Sequence, residues 1–178
     1  MRQTDDGRSS PLIDVAAARH TRTGLHPHRY AYGMAGIDLV DETFIAADVH
    51  DVAAIVHDEP RWSVWFPDKQ LTVFMDRGVK GIRWSVRGKW IGSTEIWLEE
   101  SGDGVILHYY LRVEPASASN PGVAEPYPDT DAGYRAAARA RVAAATRWKH
   151  LVWRLKDELE GDRVVGTPAR RRQMASRA

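Results

Sequence analysis

The chain has 178 residues, of which 43% are hydrophobic and 28% are charged, with a formal net charge of +1 and no cysteine. Its length and composition are those of one globular domain with additional segments. The lack of cysteine excludes disulfides, thiolate metal sites and cysteine nucleophiles. No stretch approaches the roughly 20 apolar residues of a membrane span, and Asp14 interrupts the apolar run nearest the N-terminus. We therefore expect no secretory signal and a cytoplasmic protein.

Charge is unevenly distributed along the chain. Residues 1–35 carry five Arg and three Asp, and residues 161–178 carry five Arg and one Asp, whereas residues 36–160 have a net charge of −5. We interpret 36–160 as an acidic folded domain, with disordered basic segments at 1–35 and 161–178. An acidic domain disfavours nucleic-acid binding. The basic tails either contact an acidic partner or only keep the protein soluble.

The first part of the domain predicts one strand and two short helices. Residues 37–47 alternate in polarity and are rich in β-forming residues, which indicates a strand. Asp48 is a suitable N-cap for a helix over residues 49–57. A second short helix over residues 61–66 follows a proline and ends before Pro67.

Four further strands follow, at residues 70–76, 81–87, 90–99 and 105–114. The breaks between them are short and contain glycine, which is typical of hairpins and indicates an antiparallel meander. Their alternation places apolar and aromatic side chains on one face of the sheet and charged side chains on the other. The apolar face therefore needs a cover.

A single long helix is predicted to provide that cover, over residues 134–160, with Thr130 or Asp131 as its N-cap and Gly161 at its end. Its apolar stripe is bulky in the C-terminal half and consists mainly of alanine in the N-terminal half. We expect the alanines to leave a cavity between helix and sheet. The alternative is a tightly docked helix in which alanine permits close approach.

Residues 44–48 and 61–68, followed by the later strands and the final helix, resemble the START-like (SRPBCC) superfamily over about residues 36–160. This superfamily includes polyketide cyclase/dehydrase-like and birch-pollen-allergen-like proteins. The resemblance implies an α+β helix-grip fold, in which a curved antiparallel sheet wraps around the C-terminal helix. It also implies a hydrophobic cavity that binds lipids, polyketides or other apolar metabolites, and a few members catalyse cyclisation or dehydration. Members often have seven strands, whereas five are predicted here.

The linker at 115–129, rich in Pro and Ser, is unusual for this superfamily. It either folds over the cavity mouth or is mobile.

Arg141 is the leading polar candidate for the cavity, because it lies among the alanines of the helix stripe. A buried cation requires a partner. We expect that partner to be a ligand carboxylate, phosphate or enolate, or else Asp41 or Glu42 of the first strand. The alternative is an arginine that extends its charged end to solvent.

Eight other residues are candidates for lining the cavity. The resemblance places three of them at its rim: Trp62, Trp65 and Phe66. Strand alternation and the helix stripe point five inward: Trp84, Thr94, Tyr109, Leu111 and Trp148. The hydroxyls of Thr94 and Tyr109 either orient a ligand carbonyl, with Tyr109 assisting proton transfer, or only satisfy hydrogen bonds in the core.

No metal or cofactor is expected. His26 and His28 have metal-like spacing but no nearby third ligand, and the sequence contains no phosphate-binding loop or dinucleotide fingerprint. We therefore expect a protein that binds a small hydrophobic molecule, which is a lipid, a polyketide or an aromatic metabolite. The alternatives are a cyclase/dehydrase-type enzyme in which Tyr109 or Arg141 stabilises an enolate, and an interaction module with a vestigial cavity. A void above about 300 Å³ would favour ligand binding.

Overall fold

A computed structural model describes residues 36–161, 163–164 and 166–168. The proposed N-terminal extension with its histidine pair, and most of the C-terminal tail, lie outside these residues. The helices and strands are β1 (Ile37–Ile45), α1 (Val49–Val56), α2 (Glu59–Trp65), β2 (Lys69–Asp76), β3 (Gly81–Gly88), β4 (Trp90–Ser101), β5 (Gly104–Pro115) and α3 (Asp131–Glu160). A single 3-10 turn, Gly78–Lys80, lies between β2 and β3.

The five strands form one antiparallel sheet in the order β1-β5-β4-β3-β2. The four later strands make a meander, and β1 pairs with the last of them, so that Ile37 lies opposite Val113 and Ile45 opposite Val105. The predicted α+β class and the five antiparallel strands are confirmed. β1 and β2 form the two edges, and the β2 register shifts between Val73 and Met75.

The predicted difference between the two faces of the sheet is present. Trp84, Thr94 and Leu111 lie side by side on neighbouring strands and are all buried. On the opposite face, Arg112 pairs with Asp38, and its side chain is exposed. A row of large apolar side chains facing one side drives the docking of the helices on that side.

α3 docks on the apolar face through Trp148, Val152 and Leu155, which are buried. The helix begins at Asp131 because the side chain of Thr130, one of the two predicted N-caps, accepts a hydrogen bond from the Gly133 backbone N–H and so caps the first turn. Among the residues that the structure describes, no helix is both long and apolar enough to cross a bilayer.

Each flank of α3 contacts a different element. On one flank, Lys149 binds the Asp41 carboxylate of β1, and Lys156 donates to the Phe44 carbonyl oxygen at 2.8 Å. On the other flank, Arg61 of α2 makes two hydrogen bonds of 2.8 Å to the Glu158 carboxylate. α3 is therefore held to an edge strand on one side and to α2 on the other.

Gly92 of β4 occupies a place that only glycine fits. Its φ is +153°, and a Cβ atom there would lie 2.2 Å from the Arg112 carbonyl oxygen of β5. The missing side chain lets β4 and β5 approach closely where β4 begins.

Candidate functional site

An apolar pocket of about 100 Å³, here called the inner pocket, lies between the sheet and α3 beside the end of α2. Aromatic rings and alanine methyl groups supply most of its wall. The lining residues are Ile37, Trp65, Phe66, Asp68, Lys69, Trp90, Tyr109, Leu111, Ala140, Ala143, Ala144, Arg147, Trp148 and Leu151.

Three stacked rings form one wall of the inner pocket. Tyr109 of β5 lies parallel to Trp148 of α3, with ring centroids 3.6 Å apart, and Phe66 stacks on Tyr109 at 6.3 Å. The indole N–H of Trp148 donates to Asp41 at 2.8 Å, which fixes the orientation of its ring. A wall made of rings presents flat apolar surface to a ligand.

The alanine wall lies where the helix pattern predicted space. Ala140, Ala143 and Ala144 all border the inner pocket. Its volume of about 100 Å³ is nevertheless below the 300 Å³ at which drug-sized ligand pockets begin, roughly. The physical reason is the neighbouring stack, since Tyr109 and Trp148 fill the space beside the alanines with their own rings.

Asp68 gives the inner pocket a polar rim. Its carboxylate accepts hydrogen bonds from Lys69 at 2.8 Å, from the Trp90 indole N–H at 3.1 Å and from Arg147 at 3.3 Å. Burial by itself raises the pKa of the Asp68 carboxyl, but the Lys69 hydrogen bond and the two cations outweigh burial and hold that pKa below its usual value. The rim therefore carries a charged carboxylate with two cations beside it.

Five of the nine residues predicted from sequence border the inner pocket: Trp65, Phe66, Tyr109, Leu111 and Trp148. Trp62 and Trp84 instead pack edge to face, with centroids 5.2 Å apart. The Trp62 indole N–H donates to the Val56 carbonyl oxygen, whereas the buried Nε1 of Trp84 finds no hydrogen-bond partner in the part of the chain that the structure describes. Both are core residues outside the lining of the inner pocket.

The two candidate hydroxyls differ in their surroundings. Thr94 is buried and donates to the Tyr110 carbonyl oxygen at 2.9 Å, so its hydroxyl serves the sheet. Burial raises the pKa of the Tyr109 phenol well above its usual value, and this group stays protonated. Tyr109 is thus suited to donate a hydrogen bond and unsuited to act as a base at neutral pH.

Arg141 is not among the residues that line the inner pocket. It lies about 100° around the helix from the centre of the pocket-lining side of α3. Its Nε is buried and has no hydrogen-bond partner among the described residues. Neither predicted partner reaches it, because Asp41 binds Trp148 and Lys149, and Glu42 binds His108.

A larger space of about 800 Å³, here called the α2–α3 cleft, lies between those two helices. It shares Trp65, Ala143, Arg147 and Leu151 with the inner pocket. Its full lining is Arg61, Val64, Trp65, Pro67, Ala143, Thr146, Arg147, His150, Leu151, Arg154, Leu155 and Glu158.

The sequence interpretation missed the polar rim and the cleft. The signal that points to Arg147 is its helical spacing, since it follows Ala143 by four residues and precedes Leu151 by four. Residues at that spacing share one side of a helix. For Asp68, in the turn before β2, and Trp90, at the start of β4, the sequence offers no comparable signal.

The described residues offer no set of three or more His, Asp or Glu side chains placed to hold a metal ion. The linker after β5 folds back on itself, with Ala116 paired to Ala124 and the Ser117 N–H donating to the Val123 carbonyl oxygen. No residue from 116–129 lines the inner pocket.

No protein-family model matches the chain, and no curated protein matches it. Among solved structures, it is similar to the Aha1 dimer from Colwellia psychrerythraea, with TM-score 0.45 and 16% identity over 72% of this chain and 99% of that chain. It is similar to DR_A0006 from Deinococcus radiodurans, with TM-score 0.45 and 12% identity over 68% and 95%. A START superfamily protein from Mycobacterium smegmatis gives TM-score 0.40 and 15% identity over 69% and 97%.

Similarities at this level carry no information about the ligand or the activity of this chain. The fold class follows from the chain itself: a strand and two short helices, a four-stranded meander whose last strand pairs with the first, and one long helix on the apolar face. This arrangement is an α+β helix-grip architecture, with one long helix on the apolar face of an antiparallel sheet.

Proposed function

We propose that this protein binds a small hydrophobic molecule in the inner pocket. The observation that carries the proposal is an apolar space between sheet and helix, walled by stacked rings on one side and by alanines on the other. Alanine at three lining positions keeps side-chain bulk out of a region that larger residues would fill. The part of the chain that the structure describes contains no group of side chains placed to hold a metal ion.

The size of the inner pocket favours a ring or a short alkyl group over a whole lipid. A dry cavity of about 150 Å³ in another protein accommodates benzene, and the inner pocket measures about 100 Å³. A lipid or polyketide would place only one end there and leave the rest outside. An aromatic metabolite therefore fits the inner pocket better than the longer ligands that the sequence resemblance implies.

The geometry gives less support to a cyclase or dehydrase. Arg141 lies outside the pocket lining, and the protonated Tyr109 phenol supplies no base. A Tyr109 hydrogen bond to a ligand oxygen is compatible with simple binding. Binding is therefore the function that the geometry of the inner pocket supports best.

A neutral ring probe tests the proposal. We expect 4-phenylbutan-1-ol to bind the full chain in isothermal titration calorimetry and to change the fluorescence of Trp65 and Trp148, which border the inner pocket. Ala144→Leu fills the space and should weaken the probe at least tenfold, while overpacking costs about 1–3 kcal/mol of stability.

Ala138→Leu is the matched control, because Ala138 is exposed on the same helix and outside the pocket. It should leave both the affinity and the fluorescence change as in the parent protein. Absence of probe binding to the parent protein, or equal loss of affinity in both variants, would contradict the proposed function.

A further inference from the structure

The α2–α3 cleft has a charge opposite to that of the domain around it. Three arginines and one glutamate line the cleft, so the lining residues alone carry a net charge of +2 with His150 neutral. Asp58 and Asp68, which pair with Arg61 and Arg147, lie outside that lining. Residues 36–160 as a whole carry −5. A local excess of cations in an acidic body raises the concentration of anions at that place.

The three arginines of the cleft differ in how firmly they are held. Arg61 binds both oxygens of Glu158 at 2.8 Å and also binds Asp58 at 3.0 Å, so its guanidinium is occupied. Arg147 makes one longer contact of 3.3 Å to Asp68, whose same oxygen already accepts from Lys69 at 2.8 Å.

Arg154 makes no hydrogen bond or ion pair within the part of the chain that the structure describes. It lies seven residues after Arg147, which is about 10 Å along the helix axis. That separation is within the combined reach of two arginine side chains. His150 lies between them on the same side of α3 and also lines the cleft.

The cleft and the inner pocket meet at Trp65. This side chain is partly buried and borders both spaces, as do Ala143, Arg147 and Leu151. α2, which carries Trp65, buries none of its seven residues. A ligand that leaves the inner pocket past Trp65 enters a cleft that is lined by both apolar side chains and Arg154.

We infer that the ligand is an amphipathic anion, with an apolar ring or short alkyl group in the inner pocket and a carboxylate, sulfonate or phosphate bound by Arg147 and Arg154 in the cleft. This inference rests on the proposed function, because it assigns the charged end of the same ligand. It places the recognition of negative charge on the α2 side of α3, away from Arg141. The anion binds the two guanidinium groups of the cleft that the described residues hold least firmly: Arg147, with one contact of 3.3 Å, and Arg154, with none.

Two probes of similar shape, one charged and one neutral, show how much of the affinity comes from the negative charge. The full-length protein is titrated by calorimetry with 4-phenylbutyrate and with neutral 4-phenylbutan-1-ol. We expect the carboxylate to bind about tenfold tighter or more at low salt, since charge-assisted hydrogen bonds are the strong ones. Because the cleft is open to solvent, this preference should shrink at 0.5 M salt.

Three substitutions locate the effect. Arg147→Gln and Arg154→Gln should each reduce the affinity for 4-phenylbutyrate by at least roughly threefold, with little effect on the alcohol. Arg139→Gln is the matched control, because Arg139 is exposed on the same helix and lies outside the cleft. It should change neither affinity, and thermal unfolding of all three variants checks that they fold.

The outcomes distinguish the inference from the proposed function. Equal affinity of the two probes overturns the anion inference and leaves the proposed function standing. Failure of both probes to bind overturns both. A preference for the carboxylate that survives in the Arg147→Gln/Arg154→Gln double variant, or that Arg139→Gln reduces as strongly, overturns the assignment to the cleft.

Discussion

Tyr109 and Trp148 lie face to face, 3.6 Å between ring centroids and 11° from parallel, and join the centre of β5 to the middle of α3. Both are almost completely buried. This stack fixes how close the helix approaches the sheet and leaves the inner pocket beside it. Stability and pocket size therefore depend on the same pair of residues.

Trp148→Ala should lower the free energy of unfolding by about 3–5 kcal/mol, because it removes a buried ring and leaves Asp41 without its indole donor. Urea denaturation followed by circular dichroism measures the change. Trp153→Ala is the control, since Trp153 is on the same helix but 63% exposed, and it should shift stability by no more than about 0.5 kcal/mol. Comparable losses in both variants would contradict the assigned role of the stack.

Glu160, the last residue of α3, should make the fold sensitive to acid. Burial raises the pKa of the Glu160 carboxyl, but hydrogen bonds from the Ala46 N–H and Lys156 and the charges of Lys156 and Arg163 hold it below its usual value. A carboxyl whose folded pKa is lowered contributes stability that is present above its unfolded pKa, about 4.3. That stability is lost as pH falls through the lower folded pKa.

The experiment is a series of urea denaturations between pH 3 and pH 7. Glu160→Gln should be less stable than the parent protein at pH 7, and the difference should shrink towards pH 3. The control Glu125→Gln alters an exposed carboxylate in the linker and should follow the parent curve. A pH-independent difference for Glu160→Gln would show that its effect is not linked to ionisation.

His108 on the outer face of the sheet should contribute to stability through two carboxylates. Its Nδ1 lies 3.1 Å from Glu42 and its Nε2 lies 3.0 Å from Glu99, which connects β1, β5 and β4. His108→Phe keeps a ring against Trp97 but removes both contacts to the carboxylates. We expect a loss of about 1–2 kcal/mol, because two partly solvated carboxylates lose their shared partner.

Thermal and urea unfolding measure the loss in His108→Phe. Tyr110→Phe is the matched control, because Tyr110 lies in the same outer row of β5 and its phenol makes no hydrogen bond among the described residues. Its stability should be close to that of the parent protein. If His108→Phe is as stable as the control, the two carboxylate contacts contribute nothing measurable.

Gly92→Ala should destabilise the sheet by at least about 2 kcal/mol, since the new Cβ meets a carbonyl oxygen of the neighbouring strand at a φ that side chains rarely adopt. Gly102→Ala provides the comparison. Gly102 also has a positive φ, of +61°, but nothing lies within 4 Å of its added Cβ, so only the backbone cost of about 1 kcal/mol applies. Equal losses in urea denaturation would mean that the contact across β4 and β5 relaxes without cost.

The sequence predicts most of the fold because hydrophobic periodicity and turn residues are local signals. Thr130 and Gly161 mark the two ends of α3 as expected. α2 begins two residues before its predicted start because Pro60 occupies its first turn, where proline is tolerated. The 3-10 turn Gly78–Lys80 was not predicted, since three residues are too few to show a period.

The site is harder to predict because it depends on which flank of α3 faces α2. Arg141 lies within the apolar stripe and Arg147 borders it, and the sequence does not tell which of them lies beside a cavity. Packing decides: β1 contacts the flank of Lys149, whereas α2 and the inner pocket lie on the flank of Arg147. The pocket volume likewise depends on how Tyr109 and Trp148 stack, which periodicity does not encode.

The pairing of β1 with β5 has a consequence for synthesis on the ribosome. β1 pairs along its length with β5, with Ile37 opposite Val113. β1 therefore leaves the ribosome before the strand with which it pairs has been translated. The meander of β2 to β5 needs only short-range closures and can assemble first. The apolar face of this meander then stays exposed until α3 is translated. We expect this nascent intermediate to be the stage at which the protein most needs a chaperone.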